Sequence, residues 1–161
     1  MRFVPGPGKE AAEAVFTFRL NAQEEALLLA TLRLYPVLDN GHHRLSKDAK
    51  TTGAAEQRLL EDSMAQQRVA HRKKLDELFH APQRYFKSAP EPNERRLVLS
   101  SVQFEWLLQV LNDIKVGSWV QLGSPELEGP APLKLTQLNA RSFQAMHLSG
   151  QFQAALLEAV K

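Results

Sequence analysis

The spacing of apolar residues switches between strand-like and helix-like periods, and these switches predict the order of the elements. Residues 2–4 and 14–19 carry aromatic and β-branched side chains on either side of a Pro-Gly-Pro-Gly turn, which favours two short strands. The spacing of apolar residues becomes helix-like at Asn21, where Asn21 and Glu24 match a helix-capping box. The helix that follows is expected to end at Pro36, because proline has no backbone N–H to continue it.

A long second helix is predicted over residues 54–79, which contain no Gly or Pro. Its apolar face is narrow and its remaining positions are polar, which is typical of a helix on the surface of the core. That face consists of Leu60, Met64, His71, Leu75 and Leu78. The flanking stretch 39–53 is a predicted loop, and 81–95, with three prolines, is a predicted irregular connection.

The stretch RRLVLSSVQFEW, residues 95–106, repeats the earlier arrangement of a strand, a cap and a helix. Ser100 and Gln103 stand where a second capping box would place them. Two strand–cap–helix units are therefore expected, with their strands as candidate neighbours in one small sheet. After a Pro/Gly-rich loop at 123–137, a last helix is predicted from about Asn139 to the end, with Gly150 as a point where it could break.

These elements predict a single domain over residues 1–161 with a mainly α fold. We expect a helical bundle of about four main helices with a small two- or three-stranded β element.

The predicted helix at 104–122 is apolar on two sides. On a helical wheel at about 100° per residue, one broad face carries Phe104, Leu107, Leu108, Leu111 and Ile114. A second group, on much of the opposite side, consists of Trp106, Val110, Gly117 and Val120. Such a helix is either central in a bundle or bears a partner interface, so the second group is the candidate interface.

Three polar residues interrupt the first face or its margin: Glu105, Asn112 and Lys115. An unpaired buried ammonium is very unfavourable, so Lys115 either extends its stem to water or meets a carboxylate. One hypothesis makes the three residues a polar pocket for a small ligand. The alternative makes them a structural network that orients the helix, since buried polar groups in helical proteins are usually hydrogen-bonded.

The amino-acid composition excludes several kinds of functional site. The chain has no cysteine, which excludes disulfides, thiolate nucleophiles and cysteine-ligated zinc and fits a reducing compartment. Its net charge of only +2 gives no strong attraction to nucleic acid or to anionic membranes. The N-terminus lacks a signal-peptide pattern, and no window is apolar enough for a membrane span. We expect a cytoplasmic protein.

Candidate catalytic, metal and cofactor motifs are not found in the sequence. Its five histidines form no HxxxH or HExxH pair, and His71, on an apolar helical face, is expected to be a hydrogen-bonded core residue. The basic segment Arg68–Lys74 spreads around the helix, which indicates a solvated face more than a nucleic-acid site.

The segment WLLQVLNDIKVGSWVQLGSPE, residues 106–126, resembles a bacterial family called domain of unknown function 2017. The matching positions are Trp106, Leu111, Asn112, Asp113, Leu122 and Gly123, whereas Lys115 replaces an Arg, Trp119 a Gly and Gln121 a basic residue. The stretches 56–68 and 148–160 are similar to the helix before that segment and to the family's last helix. The resemblance implies a mostly helical fold with a small N-terminal β element, and no activity.

The leading functional hypothesis is a non-enzymatic protein-interaction or regulatory module that binds a protein partner or forms a homodimer. The alternatives are a small-ligand binder or enzyme that uses Glu105, Asn112 and Lys115, and a weak nucleic-acid-associated regulator that uses Arg68–Lys74. No cofactor is expected, nucleic acid is an improbable partner, and no membrane association is expected.

Overall fold

The computed structural model describes residues 1–4, 15–38, 54–91, 93–125 and 136–160. Within these ranges the chain forms four α-helices and a four-stranded antiparallel sheet in the order β1-β2-β4-β3. The strands are β1 (Arg2–Val4), β2 (Val15–Asn21), β3 (Phe86–Ser88) and β4 (Glu94–Ser100). The helices are α1 (Ala22–Leu32), α2 (Ala54–His80), α3 (Ser101–Gln121) and α4 (Ala140–Leu157). Short 3-10 turns lie at Pro82–Arg84 and Glu158–Val160.

The mainly α expectation is confirmed, but the expected two or three strands are wrong, because the described sheet has four. The additional strand is β3, in the proline-containing segment that was expected to be irregular. It has three residues, which is too short to show a periodicity in the sequence. It forms because it pairs along the outer edge of β4.

Both predicted capping boxes are present and connect the sheet to the helices. The Asn21 side chain accepts a hydrogen bond from the Glu24 backbone N–H at 2.8 Å, and Glu24 accepts in return from the Asn21 N–H at 2.9 Å. Ser100 and Gln103 make the same exchange at the start of α3. Because β2 and β4 are antiparallel neighbours, α1 and α3 begin at opposite ends of the sheet.

The core lies between one face of the sheet and the helices. Phe104, in the first turn of α3, stacks on Phe16 at 4.3 Å between ring centroids and also lies over Phe18. The helical side contributes buried residues from α1, α3 and α4, among them Leu28, Leu32, Leu107, Leu111, Ile114, Phe152 and Leu156. α3 is therefore the central helix, which is one of the two arrangements that its two apolar sides allowed.

The chain after α1 folds back onto α3. α1 ends before Pro36, as predicted, and the Tyr35–Pro36 peptide bond is cis. Val37 then lies against Gly117 so closely that a Cβ added to this glycine would be 2.8 Å from the Val37 Cβ. Glycine at 117 is therefore required by a close approach.

Gly150, named as a point where the last helix could break, does not interrupt it, since α4 continues through this residue. The loop predicted at 39–53 lies outside the described residues, as do residues 126–135 of the loop predicted at 123–137. Among the helices that the structure describes, none combines the length and the apolar character needed to cross a bilayer.

The two helical glycines provide a matched test of the packing at Val37. We expect Gly117→Ala to lower the free energy of unfolding by about 1–2 kcal/mol, because the clash with Val37 outweighs the gain in helix propensity. Gly150→Ala should raise it by up to about 1 kcal/mol, because its Cβ would lie 3.8 Å from the Lys115 Cε, an ordinary contact. Urea unfolding of both variants gives the comparison. A stabilised Gly117→Ala variant would show that Val37 does not approach α3 as described.

Candidate functional site

The side of α3 that was predicted to bind a partner is covered by the chain itself. Trp106 is 2% exposed and Val110 0% exposed, Gly117 is buried, and Val120 is half-buried. The segment 35–38 covers Gly117, and the α2 residue Lys74 lies over the Trp106 ring with its Nζ 5.9 Å from the centroid. The prediction required this side to be uncovered within one subunit, and that requirement is not met.

The three residues of the predicted polar pocket do not converge. Glu105, Asn112 and Lys115 are all exposed. They spread over ten residues of one helix, which is roughly 15 Å along its axis. None of the three lines the hollow beside Tyr35, the hollow beside Ser118 or the hollow beside Met1. The small-ligand hypothesis therefore loses the site on which it was based.

Contacts with α4 explain two of these residues. The Gln153 side chain donates to the Leu108 carbonyl at 3.4 Å and to the Asn112 Oδ1 at 3.5 Å, which links α4 to α3. The stem of Lys115 passes over Gly150. Lys115 thus extends along an apolar surface to water, which is one of the two outcomes that its position on the helical wheel allowed.

A buried polar pair joins the segment after α1 to α2. The Tyr35 hydroxyl and the His71 Nδ1 are 3.2 Å apart, and both residues are buried. When the neutral imidazole carries its proton on Nε2, Nδ1 accepts from the hydroxyl. The expectation that His71 is a hydrogen-bonded core residue agrees with this contact.

Burial shifts the pKa values of both partners. Desolvation lowers the pKa of His71 below 6.5, although the Asp113 carboxylate and a hydrogen bond with Gln109 act in the opposite direction. Desolvation raises the pKa of Tyr35 to about 12, and Asp113 adds to that increase while Arg68 and Arg72 oppose it. Tyr35 therefore keeps its proton at any ordinary pH.

A small hollow adjoins this pair between the segment 35–38, α2 and α3. Its volume is about 70 Å³, and its lining includes Tyr35, Arg68, Asp113 and Gly117. Small-molecule sites in proteins usually measure about 300–1,000 Å³, so this hollow has room for water and not for a metabolite. The polar residues here are best explained as the joint that holds α2 against α3.

Asp113 was singled out from the sequence only within the family resemblance and was not connected to His71 or Tyr35. The three residues are far apart in the chain, and each alone is unremarkable. Asp113 belongs to the segment that carries the family resemblance, and that was the only signal available. The same arrangement weakens the basic-helix hypothesis, because Arg68 lines the hollow and His71 is buried, so Arg68–Lys74 does not present one continuous surface.

The fully buried residues of α2 lie in its second half. Between residues 55 and 70 no side chain is buried among the described residues, whereas His71, Leu75 and Leu78 are. Leu59 and Val69 are 72% and 69% exposed. Because helices in proteins are stabilised mainly by packing of an apolar face, the first half of α2 is a candidate contact surface.

The outward side of α2 carries a regular stripe of exposed residues. Spacings of four, four, three, four and four residues keep the stripe within about 100° of the helix circumference. Its members, which we call the α2 stripe, are Arg58, Asp62, Gln66, Val69, Lys73 and Glu77. The stripe carries two basic and two acidic side chains, with one of each sign in either half, and a further exposed carboxylate, Asp76, lies at its edge at the same helical angle as Arg58.

No family model, no curated protein and no solved structure matches this chain. The resemblance to the domain of unknown function 2017 family therefore stays a prediction.

The Tyr35–His71 pair predicts a pH dependence of stability. The folded-state pKa of His71 lies below its usual 6.5, so on acidification the unfolded chain binds a proton first. The stability that the neutral His71 contributes is complete above pH 6.5 and is lost as the pH falls through the lowered pKa of the folded state. We expect the urea-unfolding free energy to decrease between about pH 7.5 and about pH 5.5.

The unfolding free energy of the variant His71→Gln should decrease less over the same pH range, because the titrating group is gone. Tyr35→Phe is the control: it weakens the joint but keeps the imidazole, so its pH dependence should persist. If the unfolding free energy of His71→Gln depends on pH as strongly as that of the unsubstituted protein, His71 is not the group responsible for the pH dependence.

Proposed function

We propose that the protein is a non-enzymatic interaction module that self-associates through the α2 stripe. The single observation that carries this proposal is the self-complementarity of the stripe's charges. When two copies of α2 lie antiparallel, Asp62 of one copy faces Lys73 of the other, and Arg58 faces Glu77. Each of these four charges then has an opposite charge across the pair, whereas Asp76, at the edge of the stripe, faces Leu59 of the other copy.

Two further features support a second copy of the chain as the partner. The two Val69 side chains lie close to the two-fold axis of such a pair, where an apolar contact is needed. Ala65, half-buried, and Ala70, exposed, flank the stripe and are small, so the helices can approach closely. A two-fold interface of this kind uses the same patch on both copies, which is the commonest arrangement in homo-oligomers.

The expected complex is weak. Stable interfaces bury about 800 Å² per partner, and one helix face offers less than that. Exposed ion pairs are each worth only about 0.2–1 kcal/mol and are screened by salt. We therefore expect a dimer that dissociates on dilution and at high ionic strength, which suits a regulatory contact.

Charge reversal tests the arrangement. Asp62→Lys should make the protein monomeric at concentrations where the unsubstituted protein is dimeric, because the introduced ammonium would face Lys73 of the second copy. Combining Asp62→Lys with Lys73→Asp should restore the dimer. Sedimentation equilibrium gives the mass of each variant.

The double variant distinguishes charge pairs between two copies from charge pairs within one helix. Arg58–Asp62 and Lys73–Glu77 are also spaced four residues apart within one helix, where they can support that helix locally. The double substitution breaks both of these local pairs but restores the intermolecular ones. Recovery of the dimer supports the proposal, and a double variant that stays monomeric contradicts it. Glu61→Lys, an equal charge change beside the stripe, is the control and should leave the dimer intact.

The cytoplasmic location and the family resemblance remain predictions. The small-ligand alternative has no observation in its favour, since its residues are exposed and separated.

A further inference from the structure

The strand register aligns four basic residues across the whole sheet. Arg2 on β1 is opposite Arg19 on β2, and Arg19 is in turn opposite Arg96 on β4. Arg96 is also opposite Lys87 on β3. One cross-strand row, which we call the basic row, therefore contains a cation on every strand.

The basic row lies on the side of the sheet away from the helices. The neighbouring row, one residue along each strand, is apolar and faces the core; it contains Phe3, Phe18, Leu97 and Phe86. Successive side chains of a strand point to opposite faces, so the basic row must point outward. Arg2, Arg19 and Lys87 are exposed and Arg96 is half-buried. Among the described residues of this outer face, no side chain is buried.

The basic row is unfavourable for the sheet itself, because like charges directly opposite one another destabilise a pair of strands. Two described carboxylates lie beside one end of the row: Glu94, whose Oε2 is 3.8 Å from the Arg19 Nε, and Glu24, which interacts electrostatically with Arg2. Neither lies beside Lys87 in the described contacts. The Lys87 ammonium donates to the Gln83 carbonyl at 2.8 Å, which does not neutralise its charge. A local arrangement that opposes folding is expected where function requires it.

We propose that the basic row binds single-stranded nucleic acid through its phosphates. Neighbouring strands are about 4.8 Å apart, so the row spans roughly 14 Å. That length presents four cations along the phosphates of a short stretch of one extended strand. Three of the four are arginines, whose planar guanidinium forks match the geometry of phosphate oxygens.

The other residues of the outer face indicate that the contact is with phosphates and not with bases. Its described residues include no aromatic side chain on which bases could stack: they are Arg2, Val4, Val15, Thr17, Arg19, Asn21, Lys87, Glu94, Arg96, Val98 and Ser100. Binding is therefore independent of base sequence and strongly dependent on salt. Next to Arg2 and Arg19 a hollow also holds Glu24 and Glu94, so the phosphates lie along the row toward Arg96 and Lys87.

An acidic peptide fits this face less well. Peptides that dock on sheets usually add a strand along an edge. Both edge strands here, β1 and β3, are three residues long, and the basic row runs across the strands.

Neighbouring arginines on β4 provide a matched test. Arg96→Gln removes a cation from the basic row, whereas Arg95→Gln removes one from the opposite face, where the Arg95 Nε lies 3.4 Å from the Glu25 Oε2. The probe is a fluorescently labelled oligothymidylate, and its anisotropy is followed from low to moderate salt. We expect Arg96→Gln to weaken binding about tenfold and to reduce the slope of log K against log salt concentration by about 0.7. Arg95→Gln should leave both nearly unchanged.

A stability measurement completes the test. Because Arg96 lies between Arg19 and Lys87, Arg96→Gln relieves repulsion and should keep or raise the melting temperature while it weakens binding. Lys87→Gln, which removes the cation at the end of the basic row, should also weaken binding of the oligonucleotide. It replaces Arg96→Gln in the test if that variant does not fold.

Three results would overturn the proposal. The first is no binding of the oligonucleotide at about 50 mM salt. The second is an equal loss of binding in Arg95→Gln and Arg96→Gln. The third is competition by poly-glutamate as effective as that by unlabelled oligonucleotide at equal charge concentration, which would assign the basic row to an acidic protein partner.

Discussion

The close approach of residues 35–38 to Gly117 is the packing constraint on which the rest of this structure depends. α3 is apolar on two sides and cannot be satisfied by the sheet and α4 alone. Its second side is covered because the chain turns back after α1 and places Val37 where a larger residue than glycine would clash. With that segment in position, α2 can lie over Trp106 and bury His71 against Tyr35.

This arrangement makes the buried polar groups part of the architecture. Tyr35 and His71 form a buried hydrogen bond, the exposed Asp113 acts on both electrostatically, and the hollow beside Tyr35 and Asp113 is too small for a metabolite. A hydrogen-bonded pair with shifted pKa values often indicates a catalytic site. Structural networks produce the same shifts, and here the enclosed volume distinguishes the two, because a reaction requires room for a substrate.

The molecule presents two exposed surfaces with distinct physical character. The α2 stripe carries both signs and is complementary to itself, which suits association between identical helices. The basic row has one sign across four strands and is complementary only to a polyanion. Since the overall charge is almost balanced, both properties come from the arrangement of charges and not from their number. The two surfaces are on different elements, so the proposals made for them can succeed or fail independently.

Local patterns in the sequence determined the elements and their starting points. The capping boxes at Asn21 and Ser100 are short-range hydrogen bonds within four residues, so the sequence alone was sufficient to predict them. The two-sided apolar pattern of α3 and the end of α1 before Pro36 also follow from local chemistry. The three-residue β3 was missed because it lies among prolines in a stretch that was expected to be irregular, and it exists through pairing with β4.

Only the tertiary structure decided which surfaces are free. Trp106 has the same sequence neighbours whether it is covered by α2 or exposed to a partner, so no local pattern could decide between the two. The basic row is invisible in the sequence, because its four residues lie at positions 2, 19, 87 and 96 and meet only through strand register. Register depends on which strands pair, and pairing depends on contacts between distant parts of the chain.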